Sequence, residues 1–234
     1  MKISTSRFFI KSCLLGGVLS LSSFASTAHA IVVAFYNFPV AAGTTLPSAS
    51  TDADAATTAS SLSFGAGING PGGISTQNAS DYHLFLKPVA NSTEGNAFTA
   101  GTYFTFTVTP GATPLSFSSF NFDYELNSLG GEFYALYASP TGAFISGQNV
   151  GSGTLTITPS AFLNASVDLA GVAALQNVAT TTTFRLYVWG GSDGTQVTRF
   201  DNITVNAVPE NGTICLLGLG LGGLAASRRR RTAR

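Results

Sequence analysis

Short apolar runs of period two, each stopped by Gly, Pro, Asn or Ser, dominate residues 31–207. Successive side chains of a strand point to opposite faces, so this pattern builds sheets with one buried face. Residues 120–126 show it best. Phe120, Phe122, Tyr124 and Leu126 share one face, whereas Asn121, Asp123, Glu125 and the following Asn127 share the other. Residues 103–109 set Phe104, Phe106 and Val108 against Tyr103, Thr105 and Thr107, and Pro110 ends the run. Residues 182–189 set Phe184, Leu186 and Val188 against Arg185, Tyr187 and Trp189. Further strands are expected over 31–38, 62–64, 82–86, 132–138, 153–158 and 198–205, with Gly130-Gly131 turning the chain into one of them. Residues 41–61 read as a long loop or an edge passage, and 65–80 as a loop. Residues 161–179 are the only stretch read as allowing a helical turn or two, and Gly171 weakens even that. Many short strands with Thr, aromatics and turn residues predict an all-β fold. The expected architecture is an antiparallel β-sandwich, with a jelly roll favoured.

Charged residues are 9% of the 234-residue chain, against roughly 25% in an ordinary soluble domain. The two ends hide an asymmetry. Residues 31–207 carry three basic residues, Lys87, Arg185 and Arg199, against ten acidic ones, a net charge of −7. An acidic surface disfavours polyanions, so no nucleic-acid partner is expected. Two Cys, at positions 13 and 215, and two His exclude a zinc module. With no Cys between 31 and 207, the sandwich depends on its apolar core, which this length can supply.

Residues 1–30 read as a secretory signal peptide. Lys2, Arg7 and Lys11 form a positive start, 13–21 is apolar, and Ala28-His29-Ala30 suits signal peptidase, leaving Ile31 as the new N-terminus. Residues 208–234 form a second address. Val208-Pro209-Glu210 precedes an uncharged stretch, 214–226, and then Arg228, Arg229, Arg230 and Arg231. Thirteen helical residues rise only about 20 Å, short of a bilayer core of about 30 Å. The arginines resist crossing and act as a membrane stop. The expected division is therefore a signal peptide over 1–30, a β-sandwich ectodomain over 31–207 and a sorting segment with a short transmembrane helix over 208–234.

This tripartite end resembles the PEP-CTERM sorting signal of exported bacterial proteins, with Pro209 and Glu210 at the motif positions and Asn211 where that family has a second proline. The resemblance implies an exosortase-type membrane transpeptidase as partner. It also implies a place in the cell envelope or extracellular matrix, in association with exopolysaccharide. The strand count and long loops resemble jelly-roll carbohydrate-binding modules. Residues 199–205 resemble the closing strand of such modules, where an Asp often lies near a structural calcium, so Asp201 becomes a calcium candidate.

Chemistry-bearing residues are few. Asp123 and Glu125, two apart on a strand, project to one side about 7 Å from each other. Three readings stay open for them: a solvated sheet face, contact with calcium or a glycan, or an acid–base pair. Arg185, Tyr187 and Trp189 form the other candidate surface, because sugars stack their C–H faces on aromatic rings. Core packing is the alternative reading for the same residues. Asp52, Asp54 and Asp193 join Asp201 as loop oxygens. His83 has no Gly-x-Ser-x-Gly elbow near it, so no hydrolase triad is read and no catalytic residue is assigned. Five Asn-x-Ser/Thr sequons, at Asn78, Asn91, Asn164, Asn202 and Asn211, suit a chain rich in Asn, Ser and Thr. The leading expectation is a non-catalytic binding or structural module that meets polysaccharide. The alternative is a secreted glycan-active hydrolase or lyase on the same fold.

Overall fold

A computed structural model describes residues 29–38, 49–51, 54–68, 73–78, 81–88, 92–126, 130–191 and 197–210. Residues 1–28, most of the expected signal peptide, lie outside the described residues, as do the 214–226 stretch, Arg228, Arg229, Arg230, Arg231, Asp52, Asn91, Asn127, Asp193 and Asn211. No helix among the described residues is long and apolar enough to cross a membrane.

The alternating segments form strands. In chain order these are β1 (Ile31–Tyr36), β2 (Thr57–Ala59), β3 (Ser63–Phe64), β4 (Gly73–Asn78) and β5 (Asp81–Leu86). A helix, α1 (Glu94–Ala100), precedes β6 (Tyr103–Pro110), β7 (Leu115–Leu126), β8 (Phe133–Ser139) and β9 (Gly151–Thr154). Then come β10 (Leu163–Asp168), a 3₁₀ turn (Ala173–Leu175), β11 (Thr182–Trp189) and β12 (Thr198–Pro209). The first sheet runs β10-β7-β12-β5-β4, with β1 also on β12; the second runs β2-β6-β11-β8-β9, with β3 on β6.

The pairing is nested. β5 pairs with β12, β6 with β11, β7 with β10 and β8 with β9, all antiparallel, and successive pairs fall alternately in the first and second sheets. A long hairpin folded at β8–β9 and rolled over itself gives this order, which is the jelly roll. One edge of β12 serves two strands. Thr198, Arg199 and Phe200 meet β5, and residues from Ile203 to Ala207 meet β1. Between them the ladder with β7 shifts from Asp201 to Thr204, and Asn202 takes a left-handed φ of 47°. Asn tolerates that conformation better than most residues, so a bulge forms there and bends the strand.

The inward faces are those the period predicted. Phe104, Phe106 and Val108 meet Phe120, Phe122, Phe184, Leu186 and Phe200, all buried. Their rings pack edge-to-face or offset. Phe117 meets Phe184 at 5.3 Å and Phe122 meets Tyr134 at 5.2 Å, the arrangements that ring quadrupoles favour. β7, of 12 residues, begins at Leu115, ahead of its sharpest segment at 120–126. The ladder shift at Ser118 and Ser119 lets Leu115 and Phe117 return to the core side.

Three elements differ from expectation. Residues 161–179 hold the edge strand β10, which was not expected, ahead of the one helical turn they allow, a 3₁₀ turn. The α-helix lies at Glu94–Ala100 instead, and β4 arises within the supposed loop 65–80. The helix has local causes. The Thr93 hydroxyl accepts from the Asn96 N–H at 3.2 Å, and Gly101 ends the helix at a φ of 76°, which glycine adopts without strain.

Candidate functional site

On the outer face of the first sheet, Asp123 and Glu125 have different surroundings. Asp123 is half-buried; its Oδ1 accepts from the Asn164 amide at 3.0 Å and its Oδ2 from the Asn202 amide at 2.9 Å. Asp201 stands opposite it in the ladder and accepts from the Asn202 backbone N–H at 2.8 Å. Both amides present N–H to the carboxylate, an orientation that serves an anion rather than a cation. Among the described residues no group of three or more His, Cys, Asp or Glu is gathered to hold a metal ion.

Glu125 is fully buried, not on a solvated face. Residues 155–162 cross over this part of the sheet. The Ser160 N–H donates to Glu125 Oε1 at 3.0 Å, and Arg199, its cross-strand neighbour, donates to the same oxygen at 2.7 Å. Ser160 holds a left-handed φ of 69° to reach it. His83, also fully buried, has its ring 5.9 Å from that of Phe162. Residues 155–162 thus supply a backbone N–H to Glu125 and the Phe162 ring beside His83. The two acids do not share an open cleft, as an acid–base pair acting on a glycan would require.

On the outer face of the second sheet, the three expected residues also part company. Tyr187 is 1% exposed. Phe98 of α1 stacks on it at 5.3 Å, and Tyr103 and Tyr137 flank it at 4.9 and 5.1 Å. Arg185 is half-buried, its guanidinium 4.6 Å from the Tyr103 ring centroid and 4.2 Å from that of Phe144. Cation–π contacts of this kind hold the cation over the rings rather than offer it outward. Together with Ala97 and Ala135 these residues form a second, smaller core outside the sandwich. Tyr137 anchors it. Its hydroxyl donates to Glu94, which also accepts from the Asn149 amide at 3.1 Å, and accepts from the Gly147 N–H at 2.9 Å. Burial first, and then the bond to Glu94, push the Tyr137 hydroxyl up to about 12. Burial likewise raises Tyr187, with Arg185 opposing.

Trp189 packs against the edge of this smaller core. It lies at the rim of this face, half-buried, opposite Phe133 in the ladder. The two rings are 5.9 Å apart and 20° from parallel, and Phe133 is 36% exposed. Gly190 makes room for them. It has a φ of 95°, and a Cβ there would lie 2.8 Å from the Phe133 ring. The exposed Thr154 stands opposite Phe133 on β9, and the exposed Ser152 two residues away on the same face. This is a pair of aromatic rings beside two exposed hydroxyl side chains. Phe133 was not a sequence candidate. Its strand was expected, but period two places Phe133, Ala135 and Tyr137 on one face without telling which of them a helix covers.

Pro209 and Glu210, expected from the sequence to serve as a sorting motif, lie against the sandwich. β12 runs through Pro209, which is opposite Leu115, and the Glu210 N–H donates to Pro114 O at 3.0 Å.

No protein-family model matches the sequence, and no curated protein matches it. Among solved structures, the chain is similar to the K3 cleaved adhesin domain of Lys-gingipain from Porphyromonas gingivalis, with a TM-score of 0.39 and 14% identity over 76% of this chain and 99% of that one. It is similar to the CBM22-1 xylan-binding domain of Paenibacillus barcinonensis Xyn10C, with a TM-score of 0.39 and 10% identity over 76% and 94%. It is also similar to a non-crystalline cellulose specific carbohydrate-binding module, CBM28, with a TM-score of 0.40 and 10% identity over 62% and 86%.

Proposed function

We propose that this chain is an exported envelope or matrix protein whose jelly roll binds neutral polysaccharide without acting on it. The observation that carries this reading is the Phe133–Trp189 pair, an exposed Phe stacked on a half-buried Trp at the rim of the outer face. Pyranose rings present C–H faces to such surfaces, and the hydroxyls of Ser152 and Thr154 suit sugar hydroxyls. The net charge of −7 over residues 31–207 favours a neutral ligand over an acidic one. Binding without catalysis accords with the burial of Glu125 and the two amide partners of Asp123.

The sorting reading rests on residues 1–30 and 208–234. Export by the N-terminal segment delivers the sandwich across the membrane. Pro209 and Glu210 are then read by an exosortase-type enzyme while the apolar stretch and arginines hold the chain at the membrane. Intact mass of protein recovered from the host envelope tests this half. A chain from Ile31 to near residue 210 supports it, and a chain retaining the arginines overturns it.

The chain has a single Trp, so its fluorescence reports the proposed surface directly. Titration with neutral oligosaccharides, together with gel retardation in polysaccharide, should shift Trp189 emission and slow migration. Phe133→Ala should weaken binding about tenfold, as loss of an anchoring aromatic does, without altering the sheet signal in circular dichroism. An unchanged affinity removes this surface from the site.

A further inference from the structure

The last residues of β12 are fastened to the sandwich by more than the strand ladder. Ser116 and Leu115 of β7 stand opposite Val208 and Pro209. One step further, the Ser116 hydroxyl donates to Glu210 Oε1. A hydroxyl has one proton, and the direction of this one is set elsewhere. The Asn177 backbone N–H donates to the same Ser116 oxygen at 2.9 Å, leaving its proton for Glu210.

Asn177 is itself pinned. Its φ of 54° turns the chain, and Val178 and Leu115 exchange backbone bonds of 2.8 and 2.9 Å beside it. The preceding Gln176 amide donates to Phe117 O at 3.1 Å and to Leu169 O at 3.0 Å. Pro209 and Glu210 are half-buried in consequence.

We infer that this arrangement is a latch that withholds the Pro209-Glu210 motif from processing, so that peeling of the end of β12 sets the processing rate. The inference rests on the proposed reading of residues 208–234 as a processed sorting signal. An enzyme that engages the motif as an extended peptide needs the backbone edge that Val208 and Pro209 share with β7. The motif is therefore available only in the locally opened state. Processing breaks one peptide bond, passes its acyl carbon to a water or amine nucleophile and frees a new amino terminus on the tail. The processing enzyme supplies that chemistry, and the sandwich supplies the delay.

The test is a pulse-chase of the full-length chain in its host, read by intact mass, for wild type, Ser116→Ala and Ser116→Thr. Glu210 is left unaltered because the enzyme reads it. Loss of one hydrogen bond to a carboxylate should speed tail removal about tenfold in Ser116→Ala, and Ser116→Thr should restore the wild-type rate. Equal rates in wild type and Ser116→Ala overturn the latch and leave the sorting reading standing. A tail retained in all three chains overturns the sorting reading, and with it the latch as a processing control. Hydrogen exchange at the Glu210 amide reports the fastening independently. Protection is expected in wild type, with at least a several-fold loss in Ser116→Ala, and equal exchange in both overturns the latch as well.

Discussion

Glu125 enters a site closed to water, and its carboxylate stays there because Arg199 and the Ser160 N–H both donate to it. Removing one partner of a buried pair leaves the other charge uncompensated, which costs about 3–5 kcal/mol. The Arg199 side chain keeps 20% exposure, so its loss falls at the lower end. Arg199→Ala should therefore lower urea stability by about 3 kcal/mol. Glu125→Gln, which keeps an acceptor for Ser160, should cost about 1–2 kcal/mol. Equal losses would mean that packing, not charge, holds residues 155–162 over the sheet. Tyr137 gives a second residue-scale test. Its folded pKa of about 12 lies above the ordinary value of 10.0. The neutral phenol is thus favoured by folding, and that contribution is full below pH 10 and lost as pH rises towards 12. Wild type should lose stability through that window, and Tyr137→Phe should lose less, as measured by urea midpoints across the alkaline range.

Helix α1 shows why an element can be decisive and yet hard to read. Its sequence, EGNAFTA, contains Gly and Asn and only two apolar turns, too short for a helical period to declare itself. The cap signals were nonetheless present in Thr93 and Gly101. Thr93→Ala should cost about 1 kcal/mol. That corresponds to a fall of about 2–4 °C in Tm for a domain of this size, and near-ultraviolet circular dichroism should follow the melt. β10 was missed for a related reason. In LNASVD only Val167 is buried, because an edge strand needs only part of one face in the core. The long central strands were legible because both sides of their alternation are under constraint, as in β6, β7 and β11. The candidate surfaces were legible only to the level of the face. Period two grouped Arg185, Tyr187 and Trp189 correctly, but α1 and Phe144 cover the first two. Residues 155–162 likewise separate Glu125 from Asp123. Covering segments of this kind come from distant parts of the chain and leave no mark in local spacing.

The nested pairing makes every strand partner remote except β8–β9 and β4–β5, so β1 and β5 must reach β12 across most of the sandwich sequence for the first sheet to close. Folding of such topologies is slow, in the range of milliseconds to seconds. The same nesting bears on whether the two cores are separable. The main core takes Tyr134, Leu136, Phe184 and Leu186 from the inner faces of β8 and β11, while the outer cluster takes Ala135, Tyr137 and Tyr187 from the opposite faces of those strands. Neither core can lose its strands without the other. Far-ultraviolet circular dichroism reports the sheets, and Trp189 fluorescence reports the edge of the outer cluster. The two urea transitions should coincide within error, with one slope, as a single cooperative unit requires. An earlier fluorescence transition would show that α1 and the outer cluster lift away from an intact sandwich. In that case the face flanking Phe133 and Trp189 is a movable cover, and glycan affinity should rise in Phe98→Ala, where the cover is weakened. With coincident transitions, Phe98→Ala should lower stability by about 3–5 kcal/mol at most, because Phe98 is only partly buried, and leave affinity unchanged. The unfolding curves and one binding measurement on that variant thus decide whether the outer cluster is scaffold or gate.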